Sequence, residues 1–224
     1  MKLAALLSGG KDSLLAIDQV KDEHEVKYLI SIDSVENSML LHTENIELVK
    51  LQAEAMNTPL IFRRCSESEE LETLEGTIGE VKDEVGGVVS GAIASEYQRD
   101  RIKSICDKFG LESLTPLWNM DEEKLMNTVL QRDFEVMITK VAAEGLGREW
   151  LGRTIDKKTV RELKELERKY RIHLAGEGGE FETLVLDSPF FEKKVDVVES
   201  EENWDSKTKS GLLRIKAKLV DKSD

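Results

Sequence analysis

The chain has 224 residues, enough for one large domain or two small ones, and its 40% hydrophobic content can fill a packed core. The 32 Lys and Arg residues against 45 Asp and Glu residues give a formal net charge of −13, which argues against free nucleic acid as a partner. Cys65 and Cys106 form no C-x-x-C pair, and no apolar run approaches the roughly 20 residues that span a bilayer, so we expect a cytoplasmic protein without a disulfide framework, a structural zinc site or a membrane span.

The first part of the chain alternates short apolar runs with helical patterns. Strands are predicted at residues 3–7, 26–32, 59–62 and 87–93, and apolar residues at helical spacing follow each of them. Such alternation is typical of an α/β fold with a parallel, Rossmann-like sheet that helices cover on both faces. Any ligand is then expected at the carboxyl ends of the strands.

The pattern changes near residue 140, after a further strand candidate at 136–141. A glycine-punctuated loop and a charged helix at 157–170 follow. Segments 183–186, 194–198 and 212–219 are predicted to be β-structure, with a polar loop at 199–210. We therefore predict two domains, 1–140 and 141–224, of which the second is a smaller α+β region.

The segment SGGKDS at residues 8–13 lies between the first predicted strand and the first predicted helix. Its glycines let backbone N–H groups approach an anion, its serines and Lys11 supply donors and charge, and a helix amino end adds its dipole. The Walker pattern G-x-x-x-x-G-K-[ST] and the dinucleotide pattern G-x-G-x-x-G are both absent. A tight turn with Asp12 or Ser13 as a helix cap is the alternative, but six coincident residues favour a phosphate site.

Two further segments have less specific signals. GAIASEYQRDRI follows a predicted strand and carries Ser95, Tyr97, Gln98 and Arg101, which indicate either ligand contacts or an ordinary helix start capped by Ser95. The segment WLGR at 150–153 combines an aromatic ring with a cation, and a packed loop explains it equally well.

The segment GEGGEFET at residues 176–183 is harder to explain as ordinary structure. Three glycines and three glutamates make a poor helix and a poor strand, and neighbouring carboxylates repel one another unless cations or donors face them. The pattern therefore favours a site for a cationic substrate or a hard metal ion over an exposed acidic turn.

SGGKDS resembles the S-G-G-x-D-S loop of the N-type ATP pyrophosphatases, or PP-loop enzymes, which cleave ATP between the α and β phosphates. Together with GAIASEYQRDRI, WLGR and GEGGEFET in that order, nearly the whole chain resembles the diphthine-ammonia ligase family. The resemblance implies an adenine nucleotide α hydrolase-like fold, with an ATP-binding domain at 1–140 and substrate recognition at 141–224. It also implies amidation of diphthine on elongation factor 2 to diphthamide, with ammonium as nitrogen donor and with release of AMP and pyrophosphate from an adenylated carboxylate.

The resemblance also implies roles for individual residues. Lys11, Asp12 and Ser13 would be catalytic, with Asp12 placing Mg²⁺. The residues expected to bind ATP are Ser8, Gly9, Gly10, Lys11, Asp12, Ser13, Gly91, Ser95, Tyr97, Gln98 and Arg101, with Ser31 and Asp33 added by analogy of fold. The residues expected to bind the substrate are His42, Trp150, Arg153, Glu177, Gly178, Gly179, Glu180, Glu182 and Thr183. The glutamates would face the trimethylammonium group of diphthine, with Trp150 or Tyr97 offering a cation–π face.

Two alternatives remain from the sequence. A PP-loop enzyme acting on tRNA shares the loop, but the charge of −13 and the lack of C-x-x-C speak against it. The second alternative is a regulatory protein that binds ATP without hydrolysing it, because a fold by itself does not determine function. No cysteine has the setting of a glutaminase nucleophile, so free ammonium is the expected donor. The oligomeric state is open, a homodimer being one option.

Overall fold

The computed structural model describes residues 1–34 and 45–222. The chain divides into two compact units, the first comprising Met1–Asn119 and the second Met120–Asp224. Among the described residues, no helix has both the length and the apolar character required to cross a membrane.

The first unit contains a five-stranded sheet in the order β3-β2-β1-β4-β5, and the strand pairings are parallel. Its strands are β1 Lys2–Leu6, β2 Glu25–Ser34, β3 Leu60–Cys65, β4 Gly87–Val89 and β5 Glu112–Leu114. The central strand β1 is buried from Leu3 to Leu6, which explains its continuous apolar run. The predicted parallel α/β sheet is thus confirmed.

Helices connect these strands. They are α1 Lys11–Val20, α2 Val49–Ala55, α3 Glu70–Val81 and α4 Glu96–Phe109. Leu74 and Ile78 of α3, with Ile102 of α4, belong to one apolar cluster that also contains Ala4 of β1 and Val88 of β4. Helix α4 ends at Gly110, whose φ of 70° lies in the left-handed region that glycine adopts readily.

The second unit contains a four-stranded sheet in the order β7-β6-β9-β8, and its strand pairings are antiparallel. Its elements are α5 Glu122–Gln131, β6 Glu135–Val141, α6 Lys157–Tyr170, β7 Phe181–Asp187, β8 Lys193–Asp205 and β9 Ser210–Asp221. An α-helical and β-sheet region at the C-terminal end agrees with the expected smaller α+β part.

The division between the units differs from the predicted boundary at 140. Strand β6 pairs with β7 and β9 of the antiparallel sheet, and the helix before it belongs to the same unit. The sequence marked β6 as an apolar strand, but an apolar run does not specify which sheet will accept it. The boundary accordingly lies at 119/120, about twenty residues earlier.

The predicted polar loop at 199–210 is also different in the structure. Strands β8 and β9 continue through most of this segment as a long hairpin. Glu199 lies opposite Lys216, and Glu201 lies opposite Arg214. Cross-strand pairs of opposite charge stabilise this solvent-exposed hairpin. Because such pairs do not require alternating apolar residues, the segment 199–210 has no strand pattern in its sequence and was predicted to be a loop.

Candidate functional site

The segment 8–13 forms the turn between β1 and α1, at the carboxyl end of the central strand. Since the strand order reverses between β1 and β4, this turn lies at the position where open α/β sheets bind ligands. The loop after β4 touches it closely: a Cβ on Gly91 would lie 2.7 Å from the carbonyl carbon of Asp12 and 2.8 Å from the amide nitrogen of Ser13. The structure thus brings together two of the segments predicted to bind ATP.

Gln52 of α2 holds the turn from the other side. Its side-chain Nε2 donates a hydrogen bond of 2.9 Å to the carbonyl oxygen of Gly9, and the residue is completely buried. Gly9 has a φ of 85°, and a Cβ there would lie 3.1 Å from Oε1 of Gln52. Gln52 was not predicted from the sequence, although a polar residue among the apolar residues that follow the second predicted strand at helical spacing is a signal that could have found it.

The serines of the turn bond to each other. The backbone N–H and the hydroxyl of Ser8 donate to Oγ of Ser13 at 3.3 and 3.2 Å, and the Ser13 hydroxyl donates to the carbonyl of Gly10 at 3.0 Å. These bonds close the turn around its two glycines. Its shape is therefore set before any ligand binds.

Within the described part of the chain, the start of α1 has no side-chain cap, as is also true of α2 and α3, whereas α4, α5 and α6 are capped. Ser95, Asp121 and Asp156 accept backbone N–H groups at those three helices, whereas Gly10 at α1 offers no side chain. The first backbone N–H groups of a helix have no acceptor within the helix. Together with the helix dipole they suit an anion, and binding of a phosphate at SGGKDS stays a prediction.

Lys11 and Asp12 form an ion pair next to this turn. Lys11 is 2% exposed, and its Nζ donates to Oδ2 of Asp12 at 3.0 Å. Oδ1 of Asp12 is buried and has no hydrogen-bond partner among the described residues. Mg²⁺ in nucleotide sites takes one or two carboxylates and completes its shell with phosphate oxygens and water, so this open oxygen fits the ion. Residues 1–34 and 45–222 contain no cluster of three or more acidic, His or Cys side chains that could hold a metal without such help.

In the first unit, three more hydroxyls at the carboxyl ends of strands have no hydrogen-bond partner among the described residues. Oγ of Ser31 and of Ser34, both near the end of β2, and Oγ of Ser90, just after β4, are buried without a hydrogen bond to any residue that the structure describes. Ser31 was expected to bind ATP, and the other two were not identified from sequence. Asp33, the other residue assigned by analogy of fold, accepts from Nε of Arg64 at 2.9 Å.

The start of α4 combines a cap with one exposed aromatic residue. Oγ of Ser95 accepts the backbone N–H of Gln98 at 3.3 Å, so the capping role that the sequence allowed is present. The Arg101 guanidinium lies 3.6 Å from the centre of the Tyr97 ring, which is 47% exposed. The Arg99 guanidinium likewise lies 4.0 Å from the centre of the Trp118 ring. Trp118 was not predicted from the sequence to belong to a site.

In the second unit, Trp150 and Arg153 pack against each other. Trp150 is 4% exposed, and the Arg153 guanidinium lies 4.2 Å from the centre of its ring. Arg153 also forms an ion pair of 2.6 Å with Glu162. This geometry favours the packed-loop interpretation of the segment WLGR over a free aromatic face for a substrate cation.

The glycine–glutamate loop, residues 173–180, precedes β7. Oε1 of Glu180 accepts the backbone N–H of His173 at 2.8 Å, whereas Oε2 of Glu180 is buried without a hydrogen-bond partner in the described ranges. Gly176 has a φ of 76°, and a Cβ there would lie 2.9 Å from the carbonyl oxygen of Phe181. Glu182, just beyond the loop, accepts from Lys140 at 2.8 Å, and Thr183 is buried beside it. One carboxylate oxygen of Glu180 is therefore left without a hydrogen bond to any described residue, although it is buried.

Neither cysteine is suited to nucleophilic catalysis. Burial raises the pKa of Cys65, and it raises the pKa of Cys106 to about 11. Both thiols are therefore protonated at neutral pH, when the thiolate is the reactive form. His42 and the rest of the segment 35–44 lie outside the described residues.

Comparison with known families gives matches over most of the chain. Residues 1–113 match the family described as Diphthamide synthase N-terminal domain, and residues 121–220 match the Diphthamide synthase C-terminal domain. A crystal structure described as a predicted subunit of tRNA methyltransferase from Methanocaldococcus jannaschii covers 84% of this chain and 98% of that one, at 17% identity and a TM-score of 0.45. That likeness is too low to support a statement about fold or function.

Curated relatives agree with the family matches. The diphthine–ammonia ligase of Homo sapiens is 37% identical over 227 residues, covering 90% of this chain and 84% of that protein. The diphthine–ammonia ligase of Schizosaccharomyces pombe is 32% identical over 246 residues, covering all of this chain and 40% of that protein. With these matches along its length, the chain, which has a glycine-lined turn in one unit and a glycine–glutamate loop in the other, belongs to the diphthamide synthase family.

Proposed function

We propose that this protein is a ligase that uses ATP to join ammonia to diphthine and so forms diphthamide. The observation that carries the proposal is the glycine-lined turn between β1 and α1, where no described side chain caps the helix and beside which Oδ1 of Asp12 is open. The names of the similar human and fission-yeast proteins supply the reaction. The first unit would bind ATP, and the second would recognise the substrate.

The chemistry requires activation of a carboxylate. A carboxylate does not condense with ammonia at neutral pH, so its oxygen first attacks the α-phosphate of ATP and expels pyrophosphate. Ammonia then attacks the acyl carbon, and AMP leaves with the electron pair of the broken acyl–oxygen bond. When bound through Asp12, Mg²⁺ would neutralise charge on the phosphates.

The residues of the turn would act by positioning and by charge. The backbone N–H groups at the start of α1 would hold the departing pyrophosphate, and Ser8 and Ser13 would fix the turn through their mutual hydrogen bonds. Lys11 would hold the Asp12 carboxylate through Oδ2 and leave Oδ1 for the metal ion. In phosphate-centred reactions such positioning supplies most of the rate, and no nucleophilic side chain is needed.

Free ammonium is the proposed nitrogen donor, and elongation factor 2 is the proposed protein substrate. A glutaminase route requires an activated cysteine thiolate, whereas burial raises the pKa of both cysteines. The protein substrate follows from the resemblance of the motifs to the diphthine-ammonia ligase family.

Glu180 is the proposed contact for the trimethylammonium group of diphthine. This cation has no N–H to donate, so a carboxylate attracts it by charge and not by a hydrogen bond. We expect Glu180→Gln to weaken binding of elongation factor 2 that carries diphthine about tenfold, while ATP binding stays unchanged. The amide of Gln still offers an oxygen that accepts the backbone N–H of His173, but it has no charge. Glu182→Gln should have a smaller effect, since Lys140 already neutralises Glu182. Titration of the labelled factor measures both, and unchanged binding by Glu180→Gln would contradict the role.

The overall reaction is tested by incubating the protein with Mg²⁺, ATP, ammonium and elongation factor 2 that lacks the final amide. Formation of AMP and pyrophosphate that depends on both the factor and ammonium is expected, with a mass change on the factor that corresponds to amidation. ADP in place of AMP would contradict the proposal. Turnover that depends on tRNA would support the tRNA-modifying alternative, and ATP binding without turnover would support a regulatory module.

A further inference from the structure

Side chains, and not only backbone turns, hold the glycine–glutamate loop in place. The backbone N–H of His173 donates to Oε1 of Glu180 at 2.8 Å, and that of Leu174 donates to Oε2 of Glu122 at 2.6 Å. The N–H groups of Ala175 and Glu177 point at Nδ1 of His173, at 3.3 and 3.5 Å. Four backbone donors of one short loop therefore end on three side chains.

These contacts determine the tautomer of His173. Because two N–H groups point at Nδ1, that nitrogen carries the lone pair, and the ring proton of the neutral imidazole is on Nε2. Nε2 lies 3.2 Å from Oε1 of Glu122, within ion-pair distance of that carboxylate. Glu122, in the first turn of α5, thereby uses both carboxylate oxygens, one for the ring of His173 and one for the backbone of Leu174.

A loop of this composition needs such anchors. Gly176 and Gly179 both have positive φ, and Gly178 and Gly179 are exposed. Three glycines in five residues give the unfolded loop a large conformational freedom, which must be lost if Glu180 is to have one fixed position. The anchor on α5 lies 52 residues away in sequence from the backbone group that it binds.

We propose that Glu122 and His173 are positioning residues of the ligase: they fix the glycine–glutamate loop so that the Glu180 carboxylate keeps one position, from which its charge attracts the cationic group of diphthine. This inference rests on the proposed function. Both nitrogens of His173 and both oxygens of Glu122 are already engaged within the loop, so neither residue acts on the substrate directly.

Conservative substitutions separate the two roles of His173. The Oδ1 of Asn reaches the place of Nδ1 and can accept the N–H groups of Ala175 and Glu177, whereas the amide of Gln reaches the place of Nε2 and can donate to Glu122. In Glu122→Gln, one acceptor oxygen remains for two donors. We expect Glu122→Gln and His173→Gln to raise KM for the modified factor about tenfold, with KM for ATP changed less than about twofold. His173→Asn should fall between His173→Gln and the wild type.

Two matched controls are available. Glu123→Gln changes the neighbouring carboxylate in the same turn of α5, which pairs with Lys164 and not with the loop. His24→Asn changes a histidine of the first unit whose Nδ1 lies 3.2 Å from the terminal amine of Met1. Both controls should leave KM for the factor and KM for ATP unchanged.

A spectroscopic measurement tests the loop without turnover. NMR of protein labelled with ¹⁵N in its histidine rings, with the His173 signal assigned from His173→Asn, should show the proton on Nε2, and Glu122→Gln should shift this signal. A proton on Nδ1, an unchanged KM for the factor in Glu122→Gln and His173→Gln, or an equal rise of both KM values would overturn the proposal. If the wild type binds the factor without amidating it, the proposed function fails, and dissociation constants of the same variants for the factor then decide whether the loop is held as described.

Discussion

At the scale of single residues, the anion site depends on how closely two backbone segments approach. Gly91 lies directly against Asp12 and Ser13, and a methyl group there would overlap the backbone of α1 at 2.7 Å. Backbone cannot move aside as a flexible side chain can, so the turn itself would have to shift. The glycine in the segment GAIASEYQRDRI is therefore explained by contact with a loop that is about eighty residues earlier in the chain.

Gly91→Ala should consequently weaken ATP binding. Overpacking costs about 1–3 kcal/mol, and we expect roughly a tenfold rise in the dissociation constant for ATP, measured by calorimetry. Gly76→Ala is the control: a methyl group added to this helical glycine would meet no described atom within 4 Å, and the substitution should raise stability by about 1 kcal/mol without changing ATP binding. Equal ATP affinity of Gly91→Ala and wild type would show that the close approach of Gly91 to Asp12 and Ser13 does not affect ATP binding.

Gln52 gives a second prediction at this scale. Gln52→Leu removes the donor to the Gly9 carbonyl and leaves a buried acceptor unsatisfied, which costs about 1–3 kcal/mol. We expect a lower melting temperature and an ATP dissociation constant raised about tenfold. Glu54→Ala, an exposed position on the same helix, should leave both unchanged. If Gln52→Leu lowers stability but binds ATP normally, Gln52 supports the fold and not the turn.

At the scale of elements, α1 begins at a glycine, so the residue before its first turn has no side chain that could cap it. A side-chain oxygen caps α4, α5 and α6, while the starts of α1, α2 and α3 lack such a cap among the residues described; of these three starts, that of α1 follows two glycines. A cap usually stabilises a helix by roughly 1 kcal/mol, so leaving it out at a buried helix favours an external anion as the partner.

Pyrophosphate should therefore stabilise the protein by occupying this site. At roughly a hundredfold excess over its dissociation constant, a ligand adds about 2.7 kcal/mol, which corresponds to a rise in melting temperature on the order of 5 °C. Thermal melts with Mg²⁺ and pyrophosphate should show this rise, and Ser13→Ala, which loses the bonds that close the turn, should reduce it. The same rise with chloride at equal ionic strength would mean that no specific site exists.

At the scale of the whole molecule, the response to alkaline pH reports on the core of the first unit. Burial raises the pKa of Cys106 from 9.0 to about 11, because the thiolate would lose its hydration among apolar side chains. The folded state thus favours the protonated thiol. Its contribution to stability is complete below pH 9 and is lost as the pH rises through about 11.

We expect the difference in melting temperature between wild type and Cys106→Ala to stay constant from about pH 7 to 9 and to shrink from about pH 9 to 11. Circular dichroism melts of both proteins at each pH measure it. Lysines whose pKa is raised by acidic neighbours, such as Lys27 beside Glu84, titrate in both proteins, so their effect cancels in the difference. A difference that stays flat up to about pH 11 would argue against a buried protonated thiol.

The class of fold and the position of the glycine-lined turn could both be predicted from the amino-acid order, whereas anion binding at that turn stays a prediction. Apolar runs followed by helical patterns predict a parallel sheet with helices packed against it. The glycines, serines and Lys11 that suit a phosphate are all adjacent in SGGKDS, at the first strand–helix junction. Both signals are local: they depend on spacing within a few residues, and the structure has the turn where they predicted it.

The contacts between residues that are far apart in the sequence were determined only by the tertiary structure. Strand β6 pairs in the antiparallel sheet, Gln52 holds Gly9, and Glu122 anchors the loop near Glu180. Each of these contacts joins residues roughly forty or more positions apart, and the side chains involved are ordinary for their local surroundings. Hydrogen bonds and strand pairs of that kind are chosen by packing of the whole chain, so no local pattern specifies the partner.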